Sequence, residues 1–563
     1  MLWKFKTKQR IQKNLTPEDL LHKLLSLRGL IGKKQIADFL EPKHPNTLTS
    51  EDVGIAKASL QQAVGRIKKA LHNQEKIVVY ADYDADGITA GAVMWETLYR
   101  LGANVMPYIP HRVEEGYGLS IKGIDRVHRE LQPTLLITVD HGITAWEKVD
   151  YAKQLGIDVI VTDHHVKPTK IPQTTIVHTT KLSGSGVSWF LAKTLIEELD
   201  SDKKFDYAER EELLALAAIG TVADMVELLG PNRQIVHYGL LQLNKTKRIG
   251  LTTLFRVMGI TPGNMTTYEV SFMLAPRLNA MGRLVHALDA LRLLLTSNTD
   301  RAQELAALLN QTNVDRQALT QDHVALAKQI VEETSSHIKH KLLYISHESF
   351  NQGVIGLVAG RLVEAYSRPA IVLSISGDVG KASARSISDF NIIQAIRSVE
   401  DLLIDAGGHP MAAGFTVEKK HIKELGKRLQ KIAQTQLTEK DLVKKISIDF
   451  EVRPSWITDG LIAQLHKLSP FGVGNPRPVF VLRGVEINSI RTIGFEGKHL
   501  KLTVRKESLR FEAIGFQLGN RYQEFVAQPI VDIAFYIDDN VYQGKHRLQL
   551  ILKDIVGHVN ISR

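Results

Sequence analysis

The segment ADYDADGIT carries three carboxylates in five residues, Asp82, Asp84 and Asp86, directly after the apolar run Ile77 to Tyr80 and just before Gly87. Residues two apart in an extended chain project the same way, so these side chains are expected to converge. Anions that close repel one another unless a cation lies among them. An EF-hand loop also begins D-x-D-x-D-G, but it needs a glutamate at its twelfth position, where this chain has Val93. It should also follow a helix rather than a buried strand, so that reading is excluded. Asp140 and His141, in ITVDHGI, close a second apolar run, Leu135 to Val139. Asp163, His164 and His165, in VIVTDHHV, close a third, and Asp224 in GTVADMVEL follows a helical stretch over Glu211 to Ile219. A single Asp after a strand is ordinarily a cap or turn residue, and a single His ordinarily just hydrogen-bonded. Four such groups at the ends of successive elements of one sheet instead mark a metal site. Carboxylates with imidazoles and no thiolate suit Mn²⁺ or Mg²⁺ better than zinc or copper. The number of carboxylates points to two ions, with Asp140 as the candidate bridge. A pair about 3.5–4 Å apart activates water and braces an in-line displacement at phosphorus. Hydrolysis of a phosphate ester or anhydride is the expected chemistry.

An α/β pattern carries these residues. Strands are expected over Ile77 to Tyr80, Asn104 to Tyr108, Leu135 to Val139 and Asp158 to Thr162, with helices over Thr89 to Leu101 and Ala145 to Leu155 between them. Continuous apolar runs separated by helices indicate a mostly parallel sheet, whose sites lie beyond the carboxyl ends of its strands. Between Gly282 and Gly353 there is neither Gly nor Pro. A helix over Thr299 to Glu333 would run about 50 Å and hold two lobes apart. Strands in KLLYIS and AIVLSI begin a second, smaller α/β domain, and from Ile446 short β-branched and aromatic strands read as a small OB-like barrel. The expected division is a mostly helical segment 1–70, a catalytic domain 71–284, a connecting helix 285–337, the second α/β domain 338–445 and the barrel 446–563.

The 563 residues include 71 Lys and Arg against 61 Asp and Glu, a net charge of +10, and no cysteine. Disulfides, thiolate metal sites and a catalytic thiol are therefore excluded. The positive balance permits a nucleic-acid partner but does not by itself specify one. No uncharged run approaches the ~18–20 residues needed to cross a bilayer. The basic start MLWKFKTKQR lacks the apolar core of a signal peptide, so a cytoplasmic protein with no membrane partner is expected.

The motifs around Asp163–His165, with DYDADG before and ADM after, resemble the DHH phosphoesterase superfamily. GGHPMAAGF (Gly407 to Phe415) resembles the glycine signature of its associated DHHA1 domain. PFGVGNPRPVF (Pro470 to Phe480), EGYGL, APRLNAMGR, NQGVIGLVAGRL and ASARSI make the chain similar to the RecJ family from about Lys76 onward. The resemblance implies metal ligands at Asp84, Asp86, Asp140, His164 and Asp224, with Asp82, His141 and His165 in or beside the site. It implies phosphate contacts from Arg112, Arg283, Ser383, Arg385 and the backbone of Gly407 and Gly408, and a His409 that faces the metals from the second domain. Asn351 stands where many members have histidine, so no histidine role is assigned there.

The barrel interleaves Phe471, Phe480, Phe495, Phe511, Phe516, Tyr522, Phe535 and Tyr536 with basic residues. Most of the aromatics are expected to fill its core; Arg477, Lys498, His499, Lys501 and Arg505 are the candidate DNA contacts. The family implies a 5′→3′ exonuclease for single-stranded DNA that releases 5′-mononucleotides in DNA repair and recombination. It is expected to be a monomer, helped by a helicase and a single-strand-binding protein. Two other readings are a DHH phosphodiesterase for short oligoribonucleotides or cyclic dinucleotides, and a non-catalytic replication scaffold.

Overall fold

The computed structural model describes residues 1–7, 15–261, 263–333, 340–542 and 545–558. They gather into two compact units that do not follow chain order. One joins Met1–Pro45, Met225–His237 and Lys445–Arg563; the other joins Asn46–Asp224 and Tyr238–Lys444.

The second unit holds a five-stranded sheet of β1 (Lys76–Ala81), β2 (Asn104–Tyr108), β3 (Leu135–Val139), β4 (Asp158–Asp163) and β5 (Thr175–His178). Its order is β2-β1-β3-β4-β5 and every pairing is parallel. The central strands KIVVYA and LLITV are apolar nearly throughout because both their faces are buried. From β1 the chain runs out to β2, then crosses back to β3 on the other side. The direction of winding therefore reverses between β1 and β3, where sheets of this kind open a crevice. Asp82 follows β1 and Asp140 follows β3. Helices α1 (Ala85–Arg100), α2 (Gly184–Leu199) and α3 (Tyr207–Ala223) pack on one another beside that crevice, and Asp224 caps the end of α3.

A π-helical turn, Val270–Leu274, leads into α4 (Ala275–Leu284), and α5 (Thr299–Glu333) is the long helix expected from the sequence. Residues 334–337 of the expected connector lie outside the described residues. The buried stripe of α5 is apolar at Ala302, Leu305, Ala306 and Leu309, turns polar at Thr312, Asn313, Thr320 and His323, and is apolar again at Ala327 and Val331. It packs on α4 and on α6 (Ile355–Tyr366). Strands β6 (Leu343–His347), β7 (Ala370–Ser376), β8 (Val379–Arg385), β9 (Leu403–His409) and β10 (Ala412–Glu418) form a mixed sheet in the order β9-β10-β8-β7-β6. Within it only β6 and β7 run parallel.

In the first unit, β11 (Phe480–Ile493), β12 (His499–Lys506), β13 (Leu509–Gly515), β14 (Ile530–Tyr542) and β15 (Lys545–Gly557) close into an OB-like barrel, since β14 pairs with both β15 and β11. The residues from Pro17 to Leu27 form a helix whose Leu20, Leu21, Leu24 and Leu25 share the barrel's core with Phe480 and Phe535. Residues Leu2–Phe5 add a parallel strand to Lys445–Ile448. Arg233 draws its segment into this unit: the buried guanidinium donates to the carbonyls of Phe39, Leu468, Ser469 and Pro470 and lies on the Phe39 ring at 3.8 Å. A buried cation is tolerated there because its donors are met by oxygens. Among the described residues no helix is long and apolar enough to cross a membrane.

Candidate metal centre and phosphate pocket

Three overlapping sets of donor atoms each lie within 4.8 Å of one another: Asp82, Asp84 and Asp140; Asp86, His164 and Asp224; and Asp140, His164 and His165. The expected convergence of Asp82, Asp84 and Asp86 along an extended chain is corrected in one respect. Asp84 is the N-cap of α1, its Oδ1 accepting from the N–H groups of Asp86 and Gly87 at 3.0 Å each, so the chain has already turned into a helix at Asp86. Asp86 consequently joins His164 and Asp224 rather than its two neighbours.

The N-terminus of α2 fixes Asp86. Gly184 N–H donates to its Oδ2 at 2.7 Å and Ser185 N–H to its Oδ1 at 2.9 Å. The carboxylates press on bare backbone. A Cβ on Gly184 would stand 2.2 Å from Asp140 Oδ1, and one on Gly220 2.4 Å from Asp86 Oδ1. Asn279 of α4 accepts from Ala85 N–H at 2.8 Å and so pins the first turn of α1. Asp140 itself has φ +67°, a region that few residues other than glycine adopt, and such strain gathers at functional sites.

The charges are unbalanced. Burial, and then the neighbouring carboxylates, push Asp82 and Asp140 well above the usual range, Asp86 up to about 6 and Asp224 up to about 9. Burial, with His165 beside it, pulls His164 down to about 4. Its Nε2 makes no hydrogen bond, yet lies 3.2 Å from Asp140 Oδ1 and 3.6 Å from Asp224 Oδ2. A buried neutral imidazole aimed at crowded carboxylates is a set of acceptors without a donor. Divalent cations satisfy that arrangement, and oxygen donors with imidazole suit Mn²⁺ or Mg²⁺.

Asp163 has a different task. Its Oδ1 accepts from the backbone N–H groups of His164 and His165 and pairs with His165 Nδ1 at 2.7 Å, while Oδ2 accepts from Ile143 N–H. Burial would raise it, but these bonds prevail and hold it below the usual carboxylate range. Burial likewise opposes charge on His165, and the bond to Asp163 outweighs it and raises its pKa. His409, on edge strand β9, stacks against the His165 ring at 6.4 Å. His141 stands outside the three donor sets. Its Nε2 donates to the Tyr80 carbonyl at 3.0 Å, Thr138 Oγ1 donates to the His141 carbonyl at 2.8 Å, and burial pulls the His141 imidazole down to about 4. It therefore braces the turn that carries Asp140.

Beside the acids lies a nest of cations. Arg112 covers the Tyr83 ring at 4.9 Å and tempers the charge of Asp82. Arg283 donates to the Gly353 carbonyl at 3.1 Å; Arg385 donates to Ser383 Oγ at 3.1 Å and to the Ala384 carbonyl at 2.8 Å. Burial, reinforced by Arg112, Arg385 and Arg316, pulls Arg283 down to about 10. A Cβ on Gly356, at the start of α6, would stand 2.9 Å from Ser383 Oγ and 3.0 Å from Arg385 Nη2, so a helix N-terminus also lines this pocket. Clustered guanidiniums with a helix N-terminus suit a phosphate. Gly407 and Gly408 are exposed on β9, where Gly408 has φ +143°.

On the barrel every candidate cation has a nearby partner. Arg477 pairs with Asp538 at 2.9 Å, Lys498 with Glu496 at 3.4 Å and Lys501 with Glu512 at 3.3 Å, and Arg505 pairs with Glu486. His499 Nδ1 accepts from Gln517 N–H, and its ring meets Phe516 edge-on. Phe480, Phe511 and Phe535 are core, whereas Phe495 is 77% exposed and Phe516 54%. The sequence reading did not single out Gly184, Ser185, Gly220, Asn279, Arg316 or Gly356. A signal existed for the first two, since LSGSGVS before an apolar helical run reads as a helix N-terminus open to an anion; Gly220, Asn279 and Gly356 lie within GTVADMVEL, APRLNAMGR and NQGVIGLVAGRL, and Arg316 carries no local signal.

Comparison with known proteins identifies the domain types that carry this site. Residues 76–221 match the DHH family N-terminal domain, 339–435 the DHHA1 domain and 448–554 the RecJ OB domain. A Bacillus subtilis protein named single-stranded-DNA-specific exonuclease RecJ is 37% identical over 555 residues, which are 96% of this chain and 68% of that protein. The crystal structure of RecJ from Thermus thermophilus in complex with Mn²⁺ is similar with TM-score 0.81 at 28% identity, covering 99% of this chain and 79% of that one. The Mg²⁺ complex from the same organism gives TM-score 0.76, also at 28% identity, over 98% of this chain and 78% of that one. With its three domain types in this order and a carboxylate–histidine centre at the switch point of its parallel sheet, the chain belongs to the RecJ family.

Proposed function

We propose that the chain is a metal-dependent exonuclease that degrades single-stranded DNA from its 5′ end to 5′-mononucleotides, acting in DNA repair and recombination. One observation carries the reading: crowded carboxylates without a cation among them adjoin half-buried arginines without an ion-pair partner among the described residues, in a single compact unit. That juxtaposition suits a phosphodiester whose terminal phosphate is gripped on one side while the bond is cut on the other.

Asp84, Asp86, Asp140, His164 and Asp224 would hold two Mn²⁺ or Mg²⁺ ions, with Asp82 completing the acidic wall. Bound there, such ions supply an activated water and offset the charge that builds on the phosphoryl oxygens. Arg283, Arg385 and Ser383, with the N-terminus of α6, hold the terminal 5′-phosphate. Its additional charge over a bridging diester is what clustered guanidiniums reward, and this sets the polarity of digestion. Arg112 steadies the next phosphate from its seat on Tyr83. His165, whose pKa the bond to Asp163 raises, donates to a phosphate oxygen, and His409 stacks on it from the second domain. The backbone of Gly407 and Gly408 adds N–H donors from β9. The exposed Phe495 and Phe516 and the barrel's basic residues stack and track unpaired bases. The protein works as a cytoplasmic monomer, with a helicase and a single-strand-binding protein exposing its substrate.

The test is the digestion of 5′-labelled and 3′-labelled single strands and of blunt duplex, with Mn²⁺, Mg²⁺ or chelator. The expected result is early release of 5′-labelled mononucleotide, slow loss of duplex and no cleavage in chelator. Undiminished digestion in chelator, or early release of the 3′ label, overturns the reading.

A further inference from the structure

We propose that His323, on the long helix α5, is a positioning residue for the phosphate pocket: it holds the loop between β6 and α6 that presents the seat of Arg283. The inference rests on the reading that Arg283 and Arg385 grip the substrate's terminal phosphate.

The connection runs through three hydrogen bonds. His323 Nε2 accepts from Asn351 N–H at 3.1 Å, Asn351 Oδ1 accepts from Gly353 N–H at 2.8 Å, and the Gly353 carbonyl accepts from Arg283 Nη1 at 3.1 Å. The loop lies hard against α4, since a Cβ on Gly353 would stand 2.4 Å from the Arg283 carbonyl oxygen. Two residues after Gly353 the chain enters α6, whose Gly356 faces Ser383 and Arg385. A shift of this loop therefore displaces both the anchor of one guanidinium and the helix start beside the other.

His323 suits the task chemically. It lies in the polar stretch of the α5 stripe, 8% exposed, with its ring edge-on to Phe350 at 5.5 Å, and the Phe350 carbonyl is bound by Ser374 Oγ. Accepting at Nε2 requires the neutral ring protonated at Nδ1. Burial, with His347 nearby, lowers its pKa and keeps it neutral, while Asp322 opposes that shift. Leucine at this position would fill space but accept nothing and leave the Asn351 N–H without its partner. Glutamine would place Oε1 near the present Nε2 and restore the acceptor. The long helix thus ties the seat of Arg283 to the second α/β domain by hydrogen bonds, in addition to spanning the distance between the lobes.

The test compares kcat and KM on 5′-phosphorylated and 5′-hydroxyl single strands for the full chain with Mn²⁺. Loss of one such bond predicts that His323→Leu lowers the preference for 5′-phosphate about tenfold, chiefly through KM, and leaves the 5′-hydroxyl strand unaffected. His323→Gln is expected to stay within about twofold of the parent, because its amide oxygen restores the acceptor. Asn351→Ala, at an exposed position, breaks the same chain one link later and is expected to lower the preference as well, whether or not His323→Leu folds. An unchanged preference in Asn351→Ala overturns the proposal, as does an equal slowing of both substrates by His323→Leu, or a His323→Gln variant as impaired as the leucine. Arg283→Ala distinguishes failure of the pocket from failure of its support. If that variant keeps its preference for 5′-phosphate, the pocket reading itself fails; if it loses the preference while Asn351→Ala retains it, only the role of His323 fails.

Discussion

Two sets of basic residues, one in each compact unit, are held in opposite ways. In the catalytic unit Arg112, Arg283, Arg316 and Arg385 bond to an aromatic face, backbone carbonyls, a hydroxyl and an amide, none of which neutralises them. On the barrel Arg477, Lys498, Lys501 and Arg505 each sit beside a carboxylate. Keeping a half-buried cation without an anion costs stability, so the first arrangement is the one that gains most from a bound anion. Surface ion pairs contribute about 0–1 kcal/mol each and exchange readily. On the proposed reading, the barrel trades its own acids for passing phosphates and is indifferent to sequence and register. The contrast then teaches how one end of a strand would be held tightly while the rest is allowed to slide.

The largest expected effect lies among the acids opposite the arginines. Asp140→Ala should lose at least about 10³-fold in rate on single-stranded DNA with Mn²⁺ while keeping its near-ultraviolet circular dichroism. A variant within tenfold of the parent would exclude this centre as the seat of catalysis. Gly184→Ala comes next. Its new methyl falls on the Asp140 carboxylate, and disturbing a ligand's surroundings typically lowers metal affinity by about 10–100-fold, which a Mn²⁺ titration followed by paramagnetic resonance would register.

Arg385→Ala sharpens the contrast directly. Removing its charge-assisted hydrogen bonds to phosphate predicts about 10–100-fold lower kcat/KM on 5′-phosphorylated strands and little change on 5′-hydroxyl strands. Equal reductions on both would make Arg385 a general electrostatic group, no different in kind from the barrel's lysines. The smallest effect is expected on the barrel itself. The double variant Lys501→Ala and Arg505→Ala should stay within about threefold at low salt, but flatten the logarithmic salt dependence of binding by about 0.7 for each phosphate it no longer neutralises. A steep fall in binding at low salt with no change of slope would show that these residues, too, hold a fixed position.

Much of the centre was legible because it is local. An apolar run ending in Asp, or in Asp-His, is a strand with polar groups at its carboxyl end, and β3 falls on the residues expected, with β1 and β4 within a residue at either end. The long helix was legible for the same reason, as 35 residues without Gly or Pro and with regular apolar spacing. Asp86 shows where local reasoning stops. Its position in the chain was plain, but its separation from Asp82 and Asp84 depended on the helix beginning at Ala85. Leu2–Phe5 shows the same limit over a longer distance, since its partner strand, Lys445–Ile448, lies near the other end of the chain and four residues carry no address for it.

The amino-acid order alone determined the kinds of donor available, the strand ends that offer them and the domain types that follow one another, because each depends on neighbours within a short stretch of chain. Which acid stands with which histidine, why Gly184 and Gly220 tolerate no side chain, and how His323 reaches Arg283 through a loop were decided only by the folded chain. Those relations join residues far apart in sequence, where packing and unpaired charge, rather than any local pattern, select the neighbour.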